Sequence, residues 1–459
     1  MPLSITKYIL ASVAVSSLPV LGAEPLPLSK DYWKSDAFRK TFNGSYRING
    51  RIEPFVDTKE RVLLVSIQDM MAKGERTNSL KKLQASSLAS SSAAIMFNIG
   101  NIAFEAGDIE LAVKQYLAAI KKFPTFLRAH QNLAFAYARE AKYNEAFPHL
   151  LEVVRLGSQD GAVMGLLGYC YQQKENFTSA LQAFKNAQLT EPNNLEWKIG
   201  EAFCYDSLGD NAKALNLYES IVREKPNEIQ YTLLLVNLYQ RTDQVSEAIV
   251  YLELLRRSGN LDISNQLLLG ALHLSDGSLV IGSDVIREVL KSDSLTDGNL
   301  AMNTVEFATQ RQEYELALEF HGLIKPELVE KLSSNNRYQR QKAQILILKN
   351  EDTEQAVSIL KKLISTDPLD ADSLVLLAKH EVNNQQQELA LLHFKQASIG
   401  TGKMKDLALL ERGKLLVKMQ RYEEALKDLT EYKVYAEDTQ LEQLEIYISA
   451  VKNLHKSSQ

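Results

Sequence analysis

One spacing, 34 residues, runs through most of this chain and limits its fold more than any other feature. Ala112, Ala146, Ala180, Ala214 and Ala248 recur at that interval, and Gly282 continues the series. Tyr137, Tyr171, Tyr205 and Tyr239 recur at the same interval, followed by His273. Gly100, Ala134, Gly168 and Ala202 form a third, small-residue series. Pro192 and Pro226 share the spacing, and Pro124 falls two periods before Pro192. Several independent series at one period mark a stack of like units, each covering its neighbour's apolar face.

The unit itself reads as two amphipathic helices. In 161–194, AVMGLLGYCYQQ carries Met164, Leu167 and Tyr171 at helical spacing, KEN breaks it, and FTSALQAFKNAQL forms the second helix. EPNN then ends the unit, because proline cannot continue a helix. Composition agrees: 11 Pro and 21 Gly in 459 residues are few, and the length exceeds what a single core holds. Units register at 93–126, 127–160, 161–194, 195–228 and 229–262. The pattern thins over 263–336, where 263–296 keeps Leu269-Gly270 and Gly282, 298–331 keeps Tyr314 and Ala317, and an insertion follows near SSNN. It returns in 337–370, 371–404 and 406–439. A last helix near 439–455 presents Leu441, Leu444, Ile448 and Val451 on one face, as a cap would.

Leu167-Gly168, Tyr171, Ala180, Phe184, Ala187 and Pro192 in one unit resemble the signature of the tetratricopeptide repeat family. The resemblance implies an all-α, right-handed superhelical solenoid of antiparallel helix pairs, with about ten repeats and a capping helix. It divides the chain into five regular units over 93–262, degenerate units and an insertion over 263–336, and three units with the cap over 337–459. It also implies that the first helices line a concave groove holding a protein or peptide partner. The groove places carried over from the family are Asn101, Phe104, Phe135, Arg139, Tyr169, Phe203, Asn237 and Arg241. Two readings stay open for the aromatics among them: a ring ladder facing the partner, or core beneath the next hairpin. Asn101 and Asn132 match the family's carboxylate clamp, but Phe97, Ala162 and Leu166 stand where its cations belong, which argues against that subtype.

The N-terminus lies outside the repeats. Lys7 followed by the apolar run Tyr8 to Ala23 reads as a secretory signal over 1–23, cleaved after Ala23. That predicts a periplasmic protein, the alternatives being secretion or anchoring by an uncleaved segment. Later stretches are too short or too polar to span a bilayer. Residues 24–92 form a separate segment with one or two helices. It has turns at Asn43-Gly44 and Asn49-Gly50, and a helix in DTKERVLLVSIQDMMAKG capped by Asp57 or Thr58. Its block FNGSYRINGRIEP resembles periplasmic repeat proteins that accompany TonB-type energy transducers and ExbB–ExbD channels. The resemblance implies an accessory of outer-membrane uptake with those components as partners. Alternatives are an envelope-assembly or secretion scaffold or chaperone, and a regulatory subunit of an envelope enzyme.

The chemistry-bearing residues do not form a catalytic or cofactor motif. Cys170 and Cys204 occupy the same place in adjacent units, and packed helix axes lie about 8–10 Å apart, so two free, buried thiols are expected rather than a disulfide. The seven histidines lack metal-ligand spacing. GxSxG, HExxH and Gly-rich phosphate loops are missing from the sequence. The net charge of −5 argues against nucleic acid as partner. The chain therefore reads as a non-catalytic binding protein with no cofactor and no metal.

Overall fold

The computed structural model describes residues 27–42, 50–399, 403–436 and 438–458. The expected signal sequence, the turn at Asn43-Gly44, Asn49 of the turn Asn49-Gly50 and residues 43–49 of the block FNGSYRINGRIEP lie outside them. The chain divides into two compact units between Ala248 and Ile249, inside helix Val245–Arg257. Among the described residues every regular element is helical, and no helix is long and apolar enough to cross a membrane.

In the first unit a short turn of helix, Tyr32–Lys34, and helix Asp36–Phe42 come first. Helix Thr58–Ala72 follows, and Asp57 rather than Thr58 caps it. The Asp57 carboxylate accepts from the Glu60 amide at 2.8 Å, and Glu60 accepts from the Asp57 amide at 2.7 Å, a reciprocal capping box. After helix Arg76–Ala85, the paired helices begin. First helices are Ala93–Ala106, Leu127–Arg139, Gly161–Gln173, Leu195–Ser207 and Ile229–Arg241. Their partners are Ile109–Lys122, Tyr143–Arg155, Phe177–Thr190 and Asn211–Glu224, and Val245–Arg257, where the division falls, follows Ile229–Arg241 in sequence. Both sets start at intervals of 34 residues.

The second unit continues with Ile263–Ser275 and Leu279–Lys291, which keep that spacing although their signature is thin. Gly298–Gln310 and Tyr314–Leu323 follow. Near SSNN the insertion is a short helix, Pro326–Leu332, opened by proline at its first position. Three pairs complete the unit: Asn336–Lys349 with Thr353–Thr366, Ala371–Asn383 with Gln387–Ala397, and Lys403–Lys418 with Tyr422–Lys433. The final helix, Asp438–Ser458, buries Leu444, Ile448 and Val451 against Leu429 and Tyr432, the role expected of a cap.

The small-residue series has a definite packing cause. A Cβ on Gly100 would lie 2.6 Å from the Tyr116 ring, and one on Gly168 would lie 2.7 Å from the Phe184 ring. Gly270 faces Ile286 and Gly413 faces Leu429 in the same way. In each case the large residue stands sixteen positions on, across the hairpin. Gly282 adds a backbone approach, since its Cβ would meet the Gly270 carbonyl at 2.6 Å. Phe184 also ties neighbouring repeats together, because a Cβ on Gly200 of the next first helix would lie 2.4 Å from the same ring.

The turn between paired helices repeats as faithfully. Gly107, Ala141, Glu175, Gly209, Asp243 and Gly277 all have left-handed φ, between 55° and 87°. Glycine occupies this place without strain, whereas Ala141 and Glu175 carry a Cβ there at a cost of about 1 kcal/mol. Asp108, Asn176 and Asp210, one residue on, cap the second helices.

Two expectations follow for urea unfolding. Phe184→Ala should cost about 3–5 kcal/mol, while Leu189→Ala, 82% exposed, should stay within about 0.5 kcal/mol of wild type. Ala141→Gly should raise stability by about 0.5–1 kcal/mol, since relief of the left-handed strain outweighs the greater freedom of the unfolded chain; a lower midpoint would contradict the strain argument.

Candidate functional site

The first helices of the first unit form one continuous wall, and the chain's own N-terminal segment lies against it. Phe38 sits 5.4 Å from the Phe135 ring and 6.1 Å from Phe104. Phe42 stacks on Phe104 at 4.8 Å. Tyr32 meets the edge of Trp197 at 5.3 Å. Leu28, Tyr32, Phe38 and Phe42 thereby join the core cluster of the first repeats. The segment folds locally as its sequence dictates. Ser29 and Ser35 hydroxyls accept from the Tyr32 and Phe38 amides, and the rings of Tyr32, Trp33, Phe38 and Phe42 pack on one another.

Polar groups set the segment's register. The Ser29 amide donates to Glu196 at 3.3 Å, and Thr41 hydrogen-bonds Asp160. Burial raises the pKa of both carboxyls, more than the hydrogen bonds lower them. Asp160 also caps helix Gly161–Gln173 through the Ala162 amide at 2.9 Å. Gly165 leaves room for Trp197, whose ring a Cβ there would meet at 2.4 Å. The Trp197 indole N–H in turn donates to Glu191 at 2.9 Å. Farther along, Glu53 forms an enclosed ion pair with Arg128 at 2.8 Å, and the Leu127 amide donates to the Ile52 carbonyl at 3.0 Å. Residues 50–53 are thus fastened beside the second repeat, a few residues beyond the groove segment.

The residues expected to line the groove fare differently. Phe104, Phe135, Tyr169 and Phe203 are all buried, and Phe135 is fully so. Phe104 and Phe135 are covered by the N-terminal segment. Tyr169 packs on Phe184 at 5.3 Å and Tyr143 at 6.0 Å, and Phe203 on Phe177 at 6.1 Å. A continuous exposed ladder of rings is therefore not presented: the first two rings meet the segment and the next two pack into hairpin core. Asn101 accepts from Tyr116 and from Asn132, each at 2.9 Å, so both asparagines of the supposed clamp serve each other. Arg139 is exposed, lies over the Phe104 ring at 5.0 Å and donates to the Phe104 carbonyl. Arg241 pairs with buried Asp206. Asn237 is half-buried.

Between the segment and the wall remains an open cavity of about 1040 Å³, bordered by Trp33, Arg39, Arg139, Tyr143, Ile199 and Tyr231. The sequence sets the segment that defines it apart from the repeats but does not link it to the groove. The available signal was four aromatics, Tyr32, Trp33, Phe38 and Phe42, in a block too short to bury them alone.

The candidate chemistry is sparse. Cys170 and Cys204 are free and buried, and burial pushes each thiol up to about 12. Cys170 donates to the Tyr143 carbonyl at 3.3 Å. Among the described residues no three His, Cys, Asp or Glu side chains stand close enough to hold a metal. One pairing was invisible in the sequence: His130 and His149 meet Nδ1 to Nδ1 at 3.0 Å, and His130 Nε2 contacts the Pro124 carbonyl at 3.0 Å. Nε2–H of His130 donates to that carbonyl, leaving its Nδ1 to accept from His149. Burial, then the repulsion between the two rings when both are protonated, lowers the His149 pKa to about 4.

Residues 97–161 and 171–237 match family models described as tetratricopeptide repeats. Those two stretches carry such repeats. A general transcriptional corepressor of Dictyostelium discoideum, trfA, is 26% identical over 144 residues, which is 29% of this chain and 10% of that protein. The chain thus spans about a tenth of the length of the curated relative it matches. Among solved structures, a tetratricopeptide repeat protein from Parabacteroides merdae is 15% identical and covers 55% of this chain and 98% of its own, with TM-score 0.36. MamA from Desulfovibrio magneticus is 18% identical over 38% of this chain and 99% of its own, with TM-score 0.34. YrrB, described as a repeat protein with an unusual peptide-binding site, is 18% identical over 36% and 87%, with TM-score 0.34.

The histidine pair predicts a pH dependence. The folded state holds His149 neutral between pH about 4 and its unfolded value near 6.5, so the unfolded chain binds the extra proton. Stability should fall as pH drops from 6.5 toward 4 and level off below. His149→Asn should flatten that part of the profile in urea titrations at successive pH values; an unchanged slope would place the acid sensitivity elsewhere.

Proposed function

We propose that this chain is an exported, non-catalytic scaffold that binds a protein partner through the groove face of its first unit. Tetratricopeptide-repeat proteins generally act as protein-interaction scaffolds and bind peptide or protein partners, and the repeat matches, residues 97–161 and 171–237, lie within that unit. The observation that carries the reading is the seating of Phe38 and Phe42 on Phe104 and Phe135. A short aromatic helix is accommodated by this wall through side-chain contacts. That is how helical peptides are recognised in grooves. Export rests on Lys7 and the apolar run Tyr8 to Ala23. The finer assignment, an accessory of a TonB-type uptake system contacting ExbB–ExbD components, rests on the block FNGSYRINGRIEP. The alternative is a scaffold for envelope assembly or secretion.

Crosslinking in intact cells followed by affinity recovery from membranes tests both levels. The uptake assignment expects TonB, ExbB or ExbD in the recovered material, reduced about tenfold or more by charge reversal at exposed Arg139 in a normally folded variant. Recovery of outer-membrane assembly or secretion proteins instead would select the alternative. Retention of the protein in the cytoplasm with its first 23 residues intact would sink export.

A further inference from the structure

We propose that residues 28–42 are a latch, an intramolecular ligand that fills the groove of the first unit and is displaced by a partner helix presenting the same aromatic face. This deepens the scaffold reading and rests on it. The latch occupies the wall formed by the first helices, with Phe38 and Phe42 over Phe104 and Phe135 and Tyr32 over Trp197. It consists of one short turn and a seven-residue helix. A helix that short does not hold itself together in water, so its order comes from the groove.

Three features make it a displaceable ligand rather than a fixed part of the core. Its hold is chiefly through rings, supplemented by Tyr143 to the Leu28 backbone, Ser29 to Glu196 and Thr41 to Asp160. The fit is imperfect: the Tyr32 hydroxyl is buried without a hydrogen-bond partner among the described residues. The cavity beside it, rimmed by exposed Arg39 and Arg139, leaves room for an incoming chain to make first contact before the latch leaves.

The tether is short. Glu53 and Ile52 are fastened to Arg128 and Leu127, eleven residues or fewer from Phe42. A ligand on such a tether works at an effective concentration of about 1 mM, so it competes strongly with a partner yet yields to one that binds more tightly. The partner this groove takes is a peptide with two or three aromatic rings along one face of one to three helical turns. The latch pattern, Tyr32 and Trp33, then Phe38, then Phe42, is its template.

The test uses the full chain, a full-length Phe38→Ala/Phe42→Ala variant, and a fluorescein-labelled synthetic peptide of residues 27–42. Fluorescence anisotropy should show the peptide binding the variant one to one, and binding wild type about 100-fold more weakly. The same peptide carrying Phe38→Ala and Phe42→Ala should not bind the variant. Equal affinity for the two proteins, or no binding to a variant that is folded by circular dichroism, would overturn the latch. Native-state hydrogen exchange on wild type decides the matter independently, even if the variant fails to fold. Amides of Asp36–Phe42 should exchange by local opening, at least tenfold faster than those of Leu127–Arg139. Exchange of both helices at one common rate would make the segment core. A dimer that forms only with an intact segment would assign it to a second copy and overturn the intramolecular reading. Trans binding without any envelope partner would leave the latch standing and sink the scaffold proposal; the converse result would leave the scaffold to use another face.

Discussion

The structure depends on a close approach repeated along the chain: a residue with little or no side chain on the first helix of a hairpin faces a large one on the second. Gly100 with Tyr116, Gly168 with Phe184, Gly270 with Ile286 and Gly413 with Leu429 are the glycine cases. The missing Cβ lets the large side chain lie flat over the first helix. Dense packing then fixes the distance between the two helices, because interiors of this density tolerate neither a void nor an added methyl group. Phe184 extends the contact to Gly200, so one ring sets both the shape of its own hairpin and its contact with the next.

That geometry also explains how the buried polar chemistry behaves. Helices held this tightly leave little water around Cys170, Cys204 or His149, and the neutral form of each is favoured. The cysteines are therefore poor nucleophiles despite being free. The histidine pair, one residue on each helix of a single hairpin, meets Nδ1 to Nδ1, a contact that holds one proton between the two rings and not two. Its consequence is a sensitivity of the fold to acid rather than a metal site.

The wall of first helices is where packing and function meet. Stacked helix pairs leave such a wall on one side, and here Phe104, Phe135 and Trp197 on it are covered by a segment from outside the repeats. The cover is aromatic, as the wall is, because edge and tilted ring contacts satisfy both partners without demanding backbone pairing. Carboxyls at Glu196 and Asp160 hold the two ends of the covering segment and set which residues lie where. The same wall thus reports the chemistry of whatever else can bind it.

How much of this was legible depends on range. The helix pairs, their 34-residue interval, the free cysteines and the final capping helix follow from local periodicity, because each hairpin meets only its neighbours and one repeat predicts the next. The helix start was legible as a cap at Asp57 or Thr58, and the reciprocal bonds with Glu60 decided for Asp57. The left-handed turn place was legible only where glycine fills it, and Ala141, Glu175 and Asp243 hide it. What escaped the sequence was every contact outside the repeat register. His130 meets His149 across a hairpin, at a separation no ligand motif uses. Phe38 and Phe42 reach Phe104 and Phe135 over more than sixty residues, with no period linking them. The sequence alone determined the repeat, since that is written in nearest-neighbour packing. Only the tertiary structure decided which rings are covered and by what, because that contact joins a non-repeating segment to a repeating wall and obeys shape rather than spacing.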